Sequence, residues 1–555
     1  MVLRAVRSPY LWALLLASLL SSAWAMADWS NLAALRLPDT DDAMRLQQVR
    51  DWIGGQATGD LIQHRLAGGL PMHWSRIGDL VPAALILILR PFAGVAGAEL
   101  AAVVLWPLLQ FATLLMLVRS IAHVLAPRAA TTAMVLAALA YPATTLFLPG
   151  RIDHHALQLL LVLVQLRALV APRTFATGAI AGGAVAIGAG VGLETLPFAV
   201  LTGAVVAVGW LRGDGRQLTG FGLALAIGLL ALLPLAGQGG ACDTIAPLAP
   251  VTIAAALALA ALGRITHHRP AFAGATAVAL AIIAWPPVQP CLSGPYRNVD
   301  PLVARLWLAQ VAEAQPLLVA PVAQGFGYAG LLLVGLAASA WLAWQRGRDW
   351  PLVLGYQAVA FAITLAQLRG TYVGAALAVL PMAVLLAEQR ARRRIAGVMA
   401  LWIAGTGLSY PLIAGLAAPK AAQAAVAPSC TTPEILAQLN ALPAGRVMAG
   451  IDLGAYAIAG THHAMIAAPY HRNNAGNAAM YRFFLGSPAQ ARRIASEWRT
   501  DYVVMCPGAL GDIRAPAGSI AAGAIPGWLT RRSAPDAVPA IFTTYPRLSE
   551  TPRAR

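Results

Sequence analysis

Charged residues are scarce in this chain: aspartate, glutamate, lysine and arginine together make up 11% of its 555 residues. Apolar residues account for 59%, and the mean hydropathy is +0.67. A soluble protein of this length could not cover its surface with so little polar material. The composition therefore excludes a soluble enzyme and predicts a polytopic α-helical membrane protein.

Acidic residues are scarcer than basic ones, with 23 against 39, which leaves a net charge of +16 that is almost all arginine. A nucleic-acid-binding protein would gather such an excess on basic faces with interleaved aromatic residues. Here the arginines fall in short connectors between apolar runs, such as 119–128, 212–216 and 390–394. This is the positive-inside pattern of membrane proteins, and it argues against nucleic acid as a partner.

The apolar runs predict about thirteen membrane helices with the amino terminus inside. We interpret the run from Pro9 to Ala27 as an uncleaved first helix, although a cleavable signal peptide has the same pattern. The run from Asp79 to Phe92 is short and contains Arg90-Pro91, so we place it in the first outer loop as an interfacial or re-entrant helix. The other predicted runs are 99–118, 130–148, 156–171, 176–191, 197–210, 219–236, 250–263, 271–286, 326–344, 351–366, 373–388 and 395–416.

An odd number of spans divides the chain into two parts and places its carboxyl end outside. We predict a transmembrane domain over residues 1–417, with outer loops at 28–98 and 287–325, and a small α/β domain over 418–555. The expected location is an inner membrane, with several passes through the bilayer and the α/β domain in the periplasm.

Cysteine is also rare, with four residues in the chain. All four fall on the predicted outer side, where an oxidising compartment permits the pairs Cys242–Cys291 and Cys430–Cys506. Four unpaired thiols remain the alternative, because sequence does not fix pairing.

Three of the few carboxylates, Asp39, Asp41 and Asp42, lie within four residues directly after the first apolar segment. Carboxylates are costly to place beside a bilayer unless they are solvated, paired or bound to a metal. This cluster is therefore the first candidate for chemistry. In the alternative interpretation, Asp39 or Thr40 caps a helix that extends to Ile53.

Further polar groups fall at helix ends on the same predicted side, in the segments 150–155, 291–315, 367–372 and 449–454. Carboxylates with an imidazole suit a divalent cation such as Mg²⁺ or Mn²⁺, and arginine suits a phosphate or pyrophosphate. Each group also has a simpler explanation: a solvated loop for the Asp153-His154-His155 run, pairing with an arginine for Glu313, and a membrane-boundary position for Arg369.

The order and spacing of these groups resemble the catalytic subunit of oligosaccharyltransferases, which are membrane glycosyltransferases of the GT-C superfamily. Asp41 stands nine residues before the pair Arg50-Asp51, as a first-loop aspartate does in that family. Asp153-His154-His155 is similar to the family's second acidic signature, with histidine in the second acidic place. The segment from Gln310 to Pro316 resembles its Ser-Val-Ser-Glu signature, and Arg369 resembles its phosphate-binding arginine.

The sequence departs from the family at one signature. Gly450-Ile451-Asp452-Leu453-Gly454 stands where the family has Trp-Trp-Asp-x-Gly, which reads the hydroxyl of an Asn-x-Ser/Thr acceptor. Both tryptophans are missing. The resemblance therefore supports the fold and the donor chemistry better than it supports transfer to a sequon asparagine.

The resemblance implies glycosyl transfer from a polyprenyl-phosphate or polyprenyl-pyrophosphate donor to a protein or glycan acceptor. The rival functions are a lipid-linked glycan transporter, for which Glu194 would be the intramembrane ionisable residue, and a non-catalytic membrane protein. The resemblance implies catalytic roles for Asp41, Asp39, Asp42 and Glu313, and metal binding by Asp41, Asp153, His155 and Glu313. It implies phosphate binding by Arg369, Tyr372 and Arg297. The candidates for acceptor contact are Asp452, Trp74 and His73, and less directly Arg76, His462, His463, His471 and Arg472.

Overall fold

The computed structural model describes residues 8–237, 242–294, 296–347, 349–417, 429–510 and 513–544. A helical part extends to Ala417, and an α/β part follows from Ser429. The helices are α1 (Pro9–Ala27), α2 (Trp29–Ala33), α3 (Thr40–Ile53), α4 (Leu80–Leu125), α5 (Ala130–Ala137), α6 (His155–Leu169), α7 (Phe175–Val191), α8 (Leu196–Leu211), α9 (Arg216–Leu232), α10 (Ala249–Leu262), α11 (Arg269–Val288), α12 (Pro301–Leu306), α13 (Val322–Arg346), α14 (Trp350–Ala366), α15 (Gly370–Ala391), α16 (Ile395–Gly405), α17 (Ser409–Ala417), α18 (Pro433–Asn440), α19 (Ile451–Gly460), α20 (Asn474–Leu485) and α21 (Pro488–Glu497). The strands are β1 (Ile62–Gln63), β2 (Leu70–Pro71), β3 (Arg446–Ala449), β4 (Ala464–Met465), β5 (Tyr502–Met505), β6 (Leu529–Arg531) and β7 (Ala540–Thr544).

Several helices have the length and composition of membrane spans, so the chain is a multi-pass membrane protein. Among the described residues, six helices (α1, α4, α9, α11, α13 and α15) are long and apolar enough to cross a bilayer, and α16 with α17, bent by 78°, would make a seventh. Five shorter apolar helices, α6, α7, α8, α10 and α14, belong to the same helical part. The count of thirteen spans stays a prediction.

Two predicted apolar runs differ from simple spans. The run 130–148 does not form one helix, because α5 ends at Ala137 and a separate 3₁₀ turn covers Ala143–Phe147. Pro142 lacks an N–H group and disfavours helical backbone at the residue before it, so the helix cannot continue through this position. The run from Asp79 to Phe92 forms the first part of α4, and Gly94 (φ 69°) breaks the helix just after it in a conformation that glycine permits.

Helices α7 and α9 touch through glycine. A Cβ atom on Gly178 would lie 2.0 Å from the carbonyl oxygen of Gln217, and one on Gly182 would lie 2.2 Å from that of Phe221. From the other side, a Cβ on Gly220 would lie 2.1 Å from the carbonyl oxygen of Phe175. Small residues at membrane helix contacts allow backbones to approach closely, and dispersion then holds the helices together.

The α/β part contains a five-stranded mixed sheet in the order β4-β3-β5-β7-β6. Strand β3 pairs in parallel with β4 and β5, whereas β7 is antiparallel to β5 and β6. The segment between α1 and α4 packs on this part: Leu66 bridges Met465, and Met44 and Trp74 share a buried core with Tyr456 and Tyr470. Helix α3 therefore lies where the helical part meets the α/β part.

Both cysteine pairs are bonded. Cys242 joins Cys291 with 5.3 Å between their Cα atoms, and Cys430 joins Cys506 with 6.1 Å. The first bond connects the segment after α9 to the segment after α11. The second connects the segment before α18 to the end of β5.

We expect Gly182→Ala to destabilise the protein, because the new methyl group would force α7 away from α9. Overpacking of this kind costs about 1–3 kcal/mol. Thermal unfolding in detergent measures the effect, and Gly183→Ala on the same helix is the matched control, since no described atom lies within 4 Å of its Cβ position. Equal unfolding temperatures for the two variants would contradict the close packing.

Candidate active site

The acidic cluster lies at the start of α3, and its first member caps the helix. The Asp39 carboxylate accepts a hydrogen bond from the backbone N–H of Asp41 at 3.1 Å and one from the Arg151 guanidinium at 2.8 Å. The capping alternative thus describes Asp39 correctly.

Asp42 is completely buried and holds the neighbouring loop. Its carboxylate accepts hydrogen bonds from the backbone N–H groups of Ile152 and Asp153, each at 2.8 Å, and lies 3.3 Å from Arg151 Nε. Burial raises the pKa of Asp42 to about 7, although Arg151 opposes the shift. The geometry gives Asp42 a structural role, because its carboxylate faces the loop backbone, and its catalytic role stays a prediction.

A cavity of about 310 Å³ lies beside this cluster, between the helix ends and the α/β part. It brings together many of the residues that the sequence singled out. Its polar and aromatic lining comprises Asp41, His73, Trp74, His154, His155, Glu194, Asp243, Tyr296, Trp307, Glu313, Gln367, Arg369, Tyr470 and His471.

A smaller cavity of about 100 Å³ adjoins the first and shares His155, Glu194, Gln367 and Arg369 with it. It lies among α6, α8, α14 and α15. Apart from the shared groups and a few polar side chains, its lining is apolar: Leu146, Leu159, Phe198, Ile363 and Val373. The polar cavity is thus joined to an apolar space between membrane helices.

The three consecutive residues Asp153, His154 and His155 offer ligand atoms within 4.8 Å of one another. His154 Nδ1 lies 2.5 Å from Asp153 Oδ1, and His155 Nε2 lies 3.3 Å from Asp153 Oδ2. Burial alone would raise the pKa of Asp153, but the two imidazoles hold it well below its usual value. Burial disfavours the charged form of His154, yet Asp153 raises the pKa of this imidazole to about 10.

Glu194 belongs to the same group of residues. Its carboxylate lies 3.3 Å from His154 Nε2 and accepts a hydrogen bond from the Gln158 amide at 2.6 Å. In the sequence analysis, Glu194 is the residue that would support the transporter alternative. In the sequence, Glu194 is a single acidic residue between two apolar helices. That pattern does not show that its carboxylate faces His154.

Glu313 and Arg369 form a second polar pair on the cavity wall. The Arg369 guanidinium and the Tyr372 hydroxyl each donate to the Glu313 carboxylate at 3.0 Å, and the Arg369 backbone N–H donates to the Glu313 carbonyl at 3.0 Å. Glu313 therefore pairs with an arginine, as its alternative interpretation held. The pair also fixes the loop that carries Glu313 to the start of α15.

The Asp41 carboxylate projects into the cavity without a protein partner. No side-chain hydrogen bond or ion pair holds it in the part of the chain that the structure describes. Burial, together with the carboxylates of Asp39, Asp153 and Glu313, raises the pKa of Asp41 well above its usual value.

The donor set fits a divalent cation. Among the described residues, Asp153 Oδ2 is buried without a hydrogen-bond partner, and Asp41, whose carboxylate has no side-chain partner, lines the cavity next to it with His155. Carboxylate oxygens with one imidazole nitrogen are ligands that Mg²⁺ tolerates and Mn²⁺ prefers. Repulsion among these carboxylates is what a bound cation would relieve.

The remaining predicted residues lie elsewhere. Arg297 is exposed and belongs to neither of the two cavities as described. Asp452 lines a separate crevice of about 410 Å³ with Asp39, Tyr456 and the Cys430–Cys506 bond.

Four basic residues of the α/β part were also candidates for acceptor contact. His462 and His463 contact the carbonyl groups of Leu442 and Leu439. His471 and Arg472 both contact the Asp243 carboxylate. Only His471 of these four is part of the cavity wall.

No protein-family model matches the sequence, and no curated protein matches it. The fold is similar to solved structures of the oligosaccharyltransferase AglB from Archaeoglobus fulgidus. With the AglB structure in complex with an inhibitory peptide and a dolichol-phosphate, the TM-score is 0.63 at 16% identity, over 91% of this chain and 70% of that one.

Two further AglB structures give the same result. The complex with Zn and sulfate has a TM-score of 0.59 at 16% identity, over 89% of this chain and 68% of that one. The structure tethered to an acceptor peptide containing the NVT sequon has a TM-score of 0.63 at 14% identity, over 90% and 69%. The resemblance is confirmed at the level of the fold: this chain has the fold of the archaeal oligosaccharyltransferase AglB.

Proposed function

We propose that this protein is a glycosyltransferase that moves a sugar or oligosaccharide from a polyprenyl-phosphate or polyprenyl-pyrophosphate donor to an acceptor at the outer face of the membrane. One observation carries the proposal: Asp41, His155 and the Glu313-Arg369 pair line a single cavity, with Asp153 3.3 Å behind His155, and this cavity continues into an apolar space between membrane helices.

The donor would occupy both cavities. Arg369 lines both of them, so its guanidinium can grip a phosphate group while the polyprenyl chain lies against Leu159, Phe198 and Val373. Tyr372, which shares Glu313 with Arg369, keeps that guanidinium in place. The dolichol-phosphate in a structurally similar AglB complex supports a lipid-linked donor of this kind.

The proposed cofactor is Mg²⁺ or Mn²⁺. Asp41, Asp153, His155 and Glu313 are the residues that would hold it, with His154 and Glu194 behind them. When bound, such a cation would neutralise the charge that develops on the leaving phosphate.

The proposed reaction is a single inverting displacement. The acceptor nucleophile attacks the anomeric carbon on the face opposite the phosphate, and the carbon–oxygen bond to the phosphate breaks, so that the electron pair leaves with the phosphate. Arg369 stays on the phosphate. Asp41, whose carboxylate has no side-chain partner among the described residues, orients the nucleophile and takes its proton.

The acceptor is not read as an Asn-x-Ser/Thr sequon in the usual way. Gly450 and Ile451 stand in place of the two tryptophans, and Asp452 lines a different crevice from the one that contains Asp41. Trp74 and His73, on the cavity wall, are the proposed contacts for the acceptor.

The proposed location is an inner membrane, with the amino terminus inside and the α/β domain in the periplasm. The basic connectors and the two disulfide bonds support this orientation.

We expect Asp41→Asn and Asp153→Asn each to reduce donor consumption at least about 100-fold, since each removes a charge from the reacting centre. The assay uses purified protein in liposomes with labelled polyprenyl-linked sugar and Mn²⁺. Asp60→Asn is the control, because this carboxylate lies in the same segment and lines neither cavity as described. Unchanged consumption in both site variants would show that the site is wrongly assigned, and transport of the glycan without donor cleavage would favour a transporter.

We expect Arg369→Gln to weaken donor use by about 10²-fold or more. The substitution removes the guanidinium that grips the phosphate and leaves Glu313 without its arginine partner. Arg297→Gln serves as the matched control, since that arginine is exposed. Initial rates over a range of donor concentrations measure the effect. Equal losses in the two variants would count against a phosphate site at Arg369.

A pair of acceptor peptides tests the absence of sequon reading. We expect peptides containing Asn-x-Thr and Asn-x-Ala to be used equally, within about twofold, because the aromatic platform for the hydroxyl is missing. Mass spectrometry of the products measures the transfer. Strong preference for the Asn-x-Thr peptide would contradict this part of the proposal.

A further inference from the structure

A buried arginine lies behind the candidate site. Arg45, on α3, is 1% exposed and lies outside both cavity linings as described, so it cannot touch a substrate. Its guanidinium reaches toward two members of the site. Arg45 Nη2 lies 3.1 Å from His154 Nδ1 and 3.5 Å from Asp153 Oδ1.

Because of these contacts, the two carboxylate oxygens of Asp153 have different partners. Oδ1 is occupied by His154 and Arg45, whereas Oδ2 has no hydrogen-bond partner among the described residues and lies 3.3 Å from His155 Nε2. A carboxylate held by one oxygen cannot rotate freely, so its other oxygen keeps a fixed direction. Here that direction places Oδ2 beside the imidazole of His155.

Arg45 is itself held on three sides. Nη1 donates to Asp79 at 2.7 Å, and the guanidinium lies 5.0 Å from the centre of the Trp74 ring. Gly78 closes the third side: a Cβ atom there would lie 2.7 Å from Arg45 Nη1. The chain therefore uses glycine where any side chain would displace the guanidinium.

Asp79, the partner of Arg45, is itself held by a second buried arginine. Arg76 lies 3.4 Å from Asp79 and donates to the backbone carbonyl groups of Gln48 and Asp60. These contacts fix the Asp79 carboxylate relative to α3. Asp79 and Arg76 thus hold Arg45 in one position without access to solvent.

We propose that Arg45 is a positioning residue for the candidate metal site. It fixes Asp153 through Oδ1, so that Asp153 Oδ2 and His155 are presented together to a divalent cation. The inference rests on the proposed function and adds a residue that does not contact the substrate. Partners behind metal ligands typically change metal affinity by 10–100-fold when they are mutated.

The test measures Mn²⁺ alone on the full-length purified protein, by electron paramagnetic resonance titration without donor or acceptor. Arg45→Lys keeps the charge, but one ammonium group cannot span Asp79 and Asp153 together. We expect its Mn²⁺ affinity to fall at least about 10-fold. Because replacing a buried arginine also affects folding, Gly78→Ala is the second variant. It keeps Arg45 and only pushes its guanidinium aside, and we expect its Mn²⁺ affinity to fall about 3-fold or more.

Gly59→Ala is the matched control, since no described atom lies within 4 Å of its Cβ position, and its affinity should equal that of the parent. Thermal unfolding of each variant checks that it is folded. If the parent binds Mn²⁺ and folded Arg45→Lys and Gly78→Ala bind it within twofold as well, the positioning role is wrong and the proposed function stands. If the parent binds no Mn²⁺, the metal of the proposed function is contradicted, and the role of Arg45 falls with it.

Discussion

The candidate site depends on one buried contact, between the Asp42 carboxylate and the two backbone N–H groups of Ile152 and Asp153. Through it, the first turn of α3 and the loop before α6 become a single rigid unit. The consequence is that Asp153, at the end of the loop, is held close to Asp41, which is one residue away on the helix and lines the cavity. Carboxylates held this close repel one another, so the arrangement is stabilised by positive charge placed next to them.

Two arginines of the protein supply positive charge next to these carboxylates. Arg151 lies against Asp39 and Asp42, and Arg45 lies against Asp79 and Asp153. Neither arginine lines the cavity as described. The cationic support therefore stays in the protein, and the acidic groups are left free toward the cavity, where a cation and a phosphate would bring their own opposite charges. Arg369 is different, because it lines the cavity itself.

The membrane class and the convergence of distant polar segments could be predicted from the sequence, since composition, basic connectors and helix ends carry that information. In this way the sequence singled out Asp41, Asp153, Glu313 and Arg369, and their roles in the chemistry stay predictions. The structure assigns roles that spacing cannot show: Asp39 and Asp42 follow the same pattern as Asp41, yet one caps a helix and the other holds a loop. Glu194 and Arg45 were missed as parts of the site because their partners, His154 and Asp79, are distant in sequence.

The central claim is that bond cleavage in the donor and appearance of the sugar on the acceptor are one event at this cavity. A donor labelled with different isotopes in its sugar and its phosphate tests this directly, in liposomes that contain the purified protein and Mn²⁺. The account predicts that polyprenyl phosphate or pyrophosphate is released in a one-to-one ratio with glycosylated acceptor. Movement of the sugar label across the membrane while both labels remain on one molecule would contradict it.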